Sequence, residues 1–176
     1  MKRILIPAIL ILLLISEVGG ADPPDLDKRV QKEVEKIFNS EPQLREIPVT
    51  GEDQIVSDLM KEGDLPYAIQ SLEGSLGFVF STSAKGRYDY FDYSVIFSND
   101  LSVLSVLVTT YRSSHGAGIC SKGWLRQFEG YHGGEIRLGK EVDTISGATI
   151  SATSLVEDIK RCYLVMKELR NRGRLN

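Results

Sequence analysis

Residues 65–111 carry three β-rich stretches separated by short turn-forming runs, and no other feature constrains the fold as much. Pro66-Tyr67-Ala68-Ile69 opens the extended region, and Leu76, Phe78, Val79 and Phe80 lie in the first long run, residues 75–82. Ser83-Ala84-Lys85-Gly86-Arg87 reads as a loop. Residues 90–97, rich in aromatic and β-branched types, read as the next strand. Ser98-Asn99-Asp100 is a turn, and residues 101–111 form another strand. Strands joined by such short connections pair antiparallel, because a parallel pair needs a long crossover. The chain has 16 glycines, many of them between Ser71 and Gly147, which suits tight turns between strands better than a helical bundle.

Helical periodicity flanks this sheet. After residue 149, Ala152, Leu155, Val156, Ile159, Tyr163, Met166 and Leu169 fall on one helix face, with Glu157, Lys160, Lys167 and Arg170 opposite. Arg170, Arg172 and Arg174 suit the negative end of that helix. Upstream, Leu26, Val30, Val34 and Ile37 or Phe38 recur at helical spacing, and Pro42 marks the stop. Residues 44–49 alternate like a short strand; Ile55, Val56, Leu59 and Met60 suggest a short helix ended by Gly63. The expected class is α+β: a small antiparallel sheet packed with helices, closed by a long C-terminal helix. The apolar faces of residues 22–64 are expected to pack on the domain. A docking surface for a partner or membrane is the other use open to them.

Lys2 and Arg3 precede an apolar run from Ile4 to Ile15, and small residues follow up to Ala21. A run of that length matches the apolar core of a secretory signal better than a membrane span of about 20 residues. Residues 1–21 are therefore expected to be an export signal cleaved after Ala21, or else an uncleaved anchor. Either way the folded part lies outside the cytoplasm, periplasmic or extracytoplasmic. With 176 residues, 42% of them hydrophobic, the remainder suffices for an N-terminal helical segment over 22–64 and one domain over 65–176. A net charge of −3 argues against nucleic-acid binding. Cys120 and Cys162 lie outside any Cys-x-x-Cys motif; in an exported chain they could pair, or they could be unrelated.

The run Asp143-Thr144-Ile145-Ser146-Gly147-Ala148-Thr149 reads as a helix start. Ser146 is a capping type, Gly147 allows close backbone approach, and Thr149 offers a hydroxyl in or near the first turn, where unpaired N–H groups attract phosphate. The run resembles the Asp-x-x-(Ser/Thr)-Gly-Ala-Thr pattern of the FMN-binding domains of Na⁺-translocating quinone reductase and Rnf electron-transport complexes, matching at Asp143, Ser146, Gly147, Ala148 and Thr149. The resemblance extends over residues 65–169. It includes the glycine pair Gly116 and Gly118 and the segment Trp124-Leu125-Arg126-Gln127-Phe128-Glu129-Gly130; the proline and acidic residue of the family loop are absent, with His115 and Ala117 nearby.

The resemblance implies FMN held covalently by a phosphoester on Thr149, donated from FAD by a flavin transferase. The ring would reach toward the Gly116–Gly118 loop and Trp124. It implies an electron-transfer flavoprotein whose partners are the transferase and membrane or extracytoplasmic redox proteins, with no catalytic side chain of its own. A non-redox module holding a ligand or partner on the same fold is the alternative. The aromatics at residues 88–93 suit core packing more than a flavin platform. A hydrolase built from Ser114, His115 or His132, and Asp143 lacks a nucleophile elbow, and two histidines make a thin metal site.

Overall fold

The computed structural model describes residues 26–49 and 54–175. The expected export signal lies outside the described residues, as do Pro23, Pro24 and the turn at 50–53. No helix among the described residues is long and apolar enough to cross a membrane.

The protein is α+β. Helix α1 (Lys28–Phe38) is followed by β1 (Gln43–Glu46), α2 (Gln54–Leu59), β2 (Leu65–Ser71), β3 (Gly74–Lys85), β4 (Tyr90–Ser98) and β5 (Val103–Tyr111). A 3₁₀ turn (Ala117–Cys120), the short α3 (Lys122–Leu125), a second 3₁₀ turn (Arg126–Phe128) and the 23-residue α4 (Thr149–Asn171) complete it. The strands form one antiparallel sheet in the order β1-β2-β3-β4-β5, the meander that the short turns dictate.

Both faces of the sheet are covered, and the period-2 alternation of strand side chains sorts residues between them. Phe78, Phe80, Ala84, Phe91, Tyr93, Val95 and Phe97 share one core with Ala152, Leu155, Val156, Ile159, Cys162, Met166 and Leu169 of α4. Ile69, Val79 and Ile96 point the other way and pack with Val30 and Val34 of α1. Full burial of an apolar side chain is worth about 1.5–3 kcal/mol, so these two valines, 0% and 1% exposed, hold α1 firmly on the sheet. Helix α1 is capped at both ends. The Asp27 carboxylate accepts from the Arg29 N–H at 2.8 Å, and Asn39 adopts φ 49° while its N–H donates to the Glu35 carbonyl. Helix α1, β1 and α2 thus pack on the domain, as expected of their apolar faces: α1 covers one face of the sheet, β1 extends its edge, and Val56 of α2 joins the core on the other face.

Several boundaries differ from the sequence reading, each for a tertiary reason. Strand β3 continues through the expected loop as far as Lys85, because its ladder with β4 runs on to the Lys85–Tyr90 pair. Residues 136–138, strand-like in composition, form no strand; Leu138 makes only a lone bridge to Val142 while Ile136 is buried. Strand β5 begins at Val103, since Leu101 is turned to φ 67° within the 98–102 connection. Helix α4 begins at Thr149 with Ala148 in the capping position, so Ser146 does not cap it.

Candidate functional site

The turn into α4 is built on Ile145 and Ala148. The Ala148 N–H donates to the Ile145 carbonyl at 3.1 Å, and the Ala148 carbonyl accepts the first helical bond from Ala152 at 2.9 Å. Gly147 sits between them at φ +75°, a conformation that needs glycine, and a side-chain carbon there would point into open space. Ala148 is buried, whereas Asp143, Ser146, Gly147 and Thr149 are exposed. No side chain caps α4, so the N–H groups of its first turn have no capping side chain as acceptor.

The other half of the sequence-predicted site is brought onto this turn. The Trp124 indole N–H donates to the Asp143 carbonyl at 2.8 Å, and the Asp143 N–H donates to the Gln127 side-chain oxygen at 2.9 Å. The backbone of Asp143 is therefore gripped from both sides while its carboxylate stays in solvent. Trp124 is buried, stacked edge to face on Phe128 with ring centroids 5.3 Å apart. It positions the motif and offers no open face for a flavin.

The two glycines have packing roles. A side-chain carbon on Gly118 would meet Ile145 Cγ2 at 2.7 Å. One on Gly116, at φ +86°, would stand 2.5 Å from the Tyr111 hydroxyl and 3.7 Å from Ala148 Cα. Their close approach is to the motif itself, with no ring or phosphate required. The Tyr111 hydroxyl donates to the His115 carbonyl at 2.7 Å and lies 3.0 Å from the Ser151 hydroxyl.

Tyr111, Ser151 and Gly86 also meet at this turn, and no motif in the sequence marks them. Ser151 is buried inside the first turn of α4. A side-chain carbon on Gly86, in the β3–β4 turn, would stand 3.2 Å from its hydroxyl. Of the aromatics at residues 88–93, Phe91 and Tyr93 are core, while Tyr88 and Tyr90 are exposed. His132 shares a hydrogen bond with the Gly130 carbonyl and His115 one with Ser114, so neither joins Asp143 in a triad. Among the described residues no group of three His, Cys, Asp or Glu side chains is arranged to hold a metal.

Below the site, α4 is anchored by a buried charge network. Arg161 binds Asp64 at 2.6 Å and Asp158 at 2.7 Å, and Asp158 also pairs with Lys61. Tyr93 donates to Asp158 at 2.7 Å and lies 3.3 Å from Cys162 Sγ; Thr82 donates to Asp64. Burial opposes the charge of Asp158, but hydrogen bonds from Arg161 and Lys61 outweigh it, and its carboxyl titrates below the ordinary value. Burial, with the nearby Asp158 charge, pushes the Cys162 thiol up to about 12. Burial and then its neighbours Cys162 and Asp158 raise the Tyr93 hydroxyl well above its usual range. The network thus favours a charged Asp158 beside a neutral Cys162 thiol and Tyr93 phenol, the pattern of an anchor. Cys120 is exposed and Cys162 buried, both as free thiols.

A comparison with known protein families finds no family model that matches the chain, and a search of curated proteins finds no match either.

Proposed function

We propose that the protein is an exported electron-transfer flavoprotein that carries FMN through a phosphoester on Thr149. The carrying observation is the setting of Thr149: an exposed threonine as the first residue of a 23-residue helix without a side-chain cap, two residues after a glycine with open space around it. These residues fit the group. The N–H groups at the start of α4, free of a side-chain cap, suit a phosphate, Gly147 leaves room for the transferase and its substrate, and the grip of Trp124 and Gln127 on Asp143 holds the turn still.

In the attachment step the Thr149 oxygen attacks the FMN-side phosphorus of FAD. A new P–O bond forms, the P–O bond to AMP breaks, AMP leaves with the electron pair, and the hydroxyl proton passes to a base of the flavin transferase. When bound, the isoalloxazine ring would supply the redox chemistry, accepting electrons from one membrane or extracytoplasmic partner and passing them to another. The chain itself orients the attachment turn, presents backbone N–H groups to the phosphate and keeps the site at the surface, where partners reach it. The expected export signal at residues 1–21 supports the placement outside the cytoplasm, where such a transferase acts.

Intact mass after co-expression with a flavin transferase tests the reading. An FMN-sized increment that survives denaturation and disappears in Thr149→Ala is the expected result. An unmodified wild-type chain under those conditions favours a non-redox binding module instead.

A further inference from the structure

Two segments distant in sequence, residues 111–116 and the turn at Gly86, converge on the buried hydroxyl of Ser151. Tyr111, at the end of β5, reaches it at 3.0 Å. Gly116 and Gly86 pass so near that side-chain carbons there would stand 3.4 Å and 3.2 Å from it. The convergence fixes what these segments leave at the surface. Tyr88 lies two residues beyond Gly86 and is 66% exposed; His115 precedes Gly116; Thr149 and Ile150, the latter 54% exposed, precede Ser151.

The exposed rings are arranged with respect to each other. Tyr88 and His115 meet edge to face, with centroids 5.8 Å apart and planes 66° from parallel. The Arg87 guanidinium stands 5.2 Å from the Tyr88 centroid. Two rings set at such an angle form a corner, and a corner of this kind holds a flat heteroaromatic by stacking on one ring and edge contact with the other. Phe91 and Tyr93, on the neighbouring strand, spend their surface in the core. Tyr88 keeps most of its surface in solvent, on a turn whose backbone is pressed against the first turn of α4.

We propose that Tyr88 and His115 form the stacking platform for the isoalloxazine ring carried on Thr149, with Ile150 as its apolar neighbour. The proposal rests on the flavoprotein reading above and adds the side chains that receive the ring. Tyr88 is the specificity-determining residue: its phenol is an electron-rich surface for an electron-poor flat ring. The same contact lets the phenol quench the flavin's fluorescence, which provides a readout independent of any activity.

The experiment compares flavinylated full-length wild type with flavinylated Tyr88→Leu and His115→Ala, each checked by intact mass. Both substitutions lie on an exposed turn or loop, and circular dichroism confirms that the variants are folded. The expected result is an unchanged FMN increment in all three proteins. Flavin fluorescence rises several-fold in Tyr88→Leu and in Tyr88→Phe, which keeps the ring but lacks the electron-donating phenol, and to a smaller extent in His115→Ala. Retained increments with unchanged fluorescence in both Tyr88→Leu and His115→Ala overturn the platform and leave the attachment reading standing. A wild-type chain without the increment overturns both.

Discussion

The hydroxyls of Tyr111 and Ser151 lie 3.0 Å apart, tying the last residue of β5 to the first turn of α4. The Tyr111 hydroxyl also holds the His115 carbonyl. One side chain therefore sets the distance between the glycine loop and the turn into α4, and nothing in the spacing of residues 111 and 151 announces it.

Removing that hydroxyl tests its role. Tyr111→Phe is expected to destabilise the fold by about 1–2 kcal/mol, because Ser151 is buried and loses a partner. Gly116→Ala should cost at least as much: the backbone there sits at φ +86°, and the added carbon would collide with the Tyr111 hydroxyl. Urea unfolding measures both. A midpoint unchanged in Tyr111→Phe would show that the tie contributes nothing to stability.

The buried charges make a second prediction. Arg161→Met leaves Asp64 and Asp158 without their shared cation in the interior and should cost about 3–5 kcal/mol. The pH dependence has a definite sign. The Asp158 carboxyl titrates below its unfolded value, so its contribution is complete above that unfolded value and is lost as pH falls through the folded one. Thermal unfolding across the acid range should show wild type losing stability with falling pH, with a shallower loss in Asp158→Asn. Parallel acid limbs would remove Asp158 from the account.

The thiols should separate cleanly. Cys120 is exposed, with a thiol raised somewhat by partial burial, so a maleimide should label it in the native protein, faster as pH rises. Cys162 is buried, with its thiol pushed up to about 12, and should label only after unfolding. Mass spectrometry before and after denaturant counts the adducts. Rapid native labelling of Cys162 would mean that α4 leaves the sheet readily.

Much of the architecture was legible because it follows from periodicity. Val30 and Val34, or Leu155 and Ile159, recur at helical spacing, and a helix with one apolar stripe has a single way to bury it. The turn at Ser98-Asn99-Asp100 likewise made antiparallel pairing of its flanking strands the only short-range option. Local rules failed where a longer-range contact outweighed them. Ser146 is a better capping residue than Ala148, yet Ala148 takes the position. It is the buried one, packed by the Gly116 loop, and the helix starts where that packing puts it. Residues 136–138 have strand composition but no neighbouring edge to pair with beyond Val142.

The Asp143-to-Thr149 run is where the two kinds of information divide. By itself the sequence determined the order of elements, an α+β class, and a small-residue turn ending in a threonine ahead of an amphipathic helix, because each depends on residues near in the chain. Only the tertiary structure decided what surrounds that threonine. It buried Trp124 behind the Asp143 carbonyl, pressed Gly116 and Gly118 against the turn, and brought Tyr88 and His115 into edge-to-face contact. Those relationships join residues tens of positions apart through side-chain packing and hydrogen bonds, and such contacts exist only once the sheet and α4 have come together.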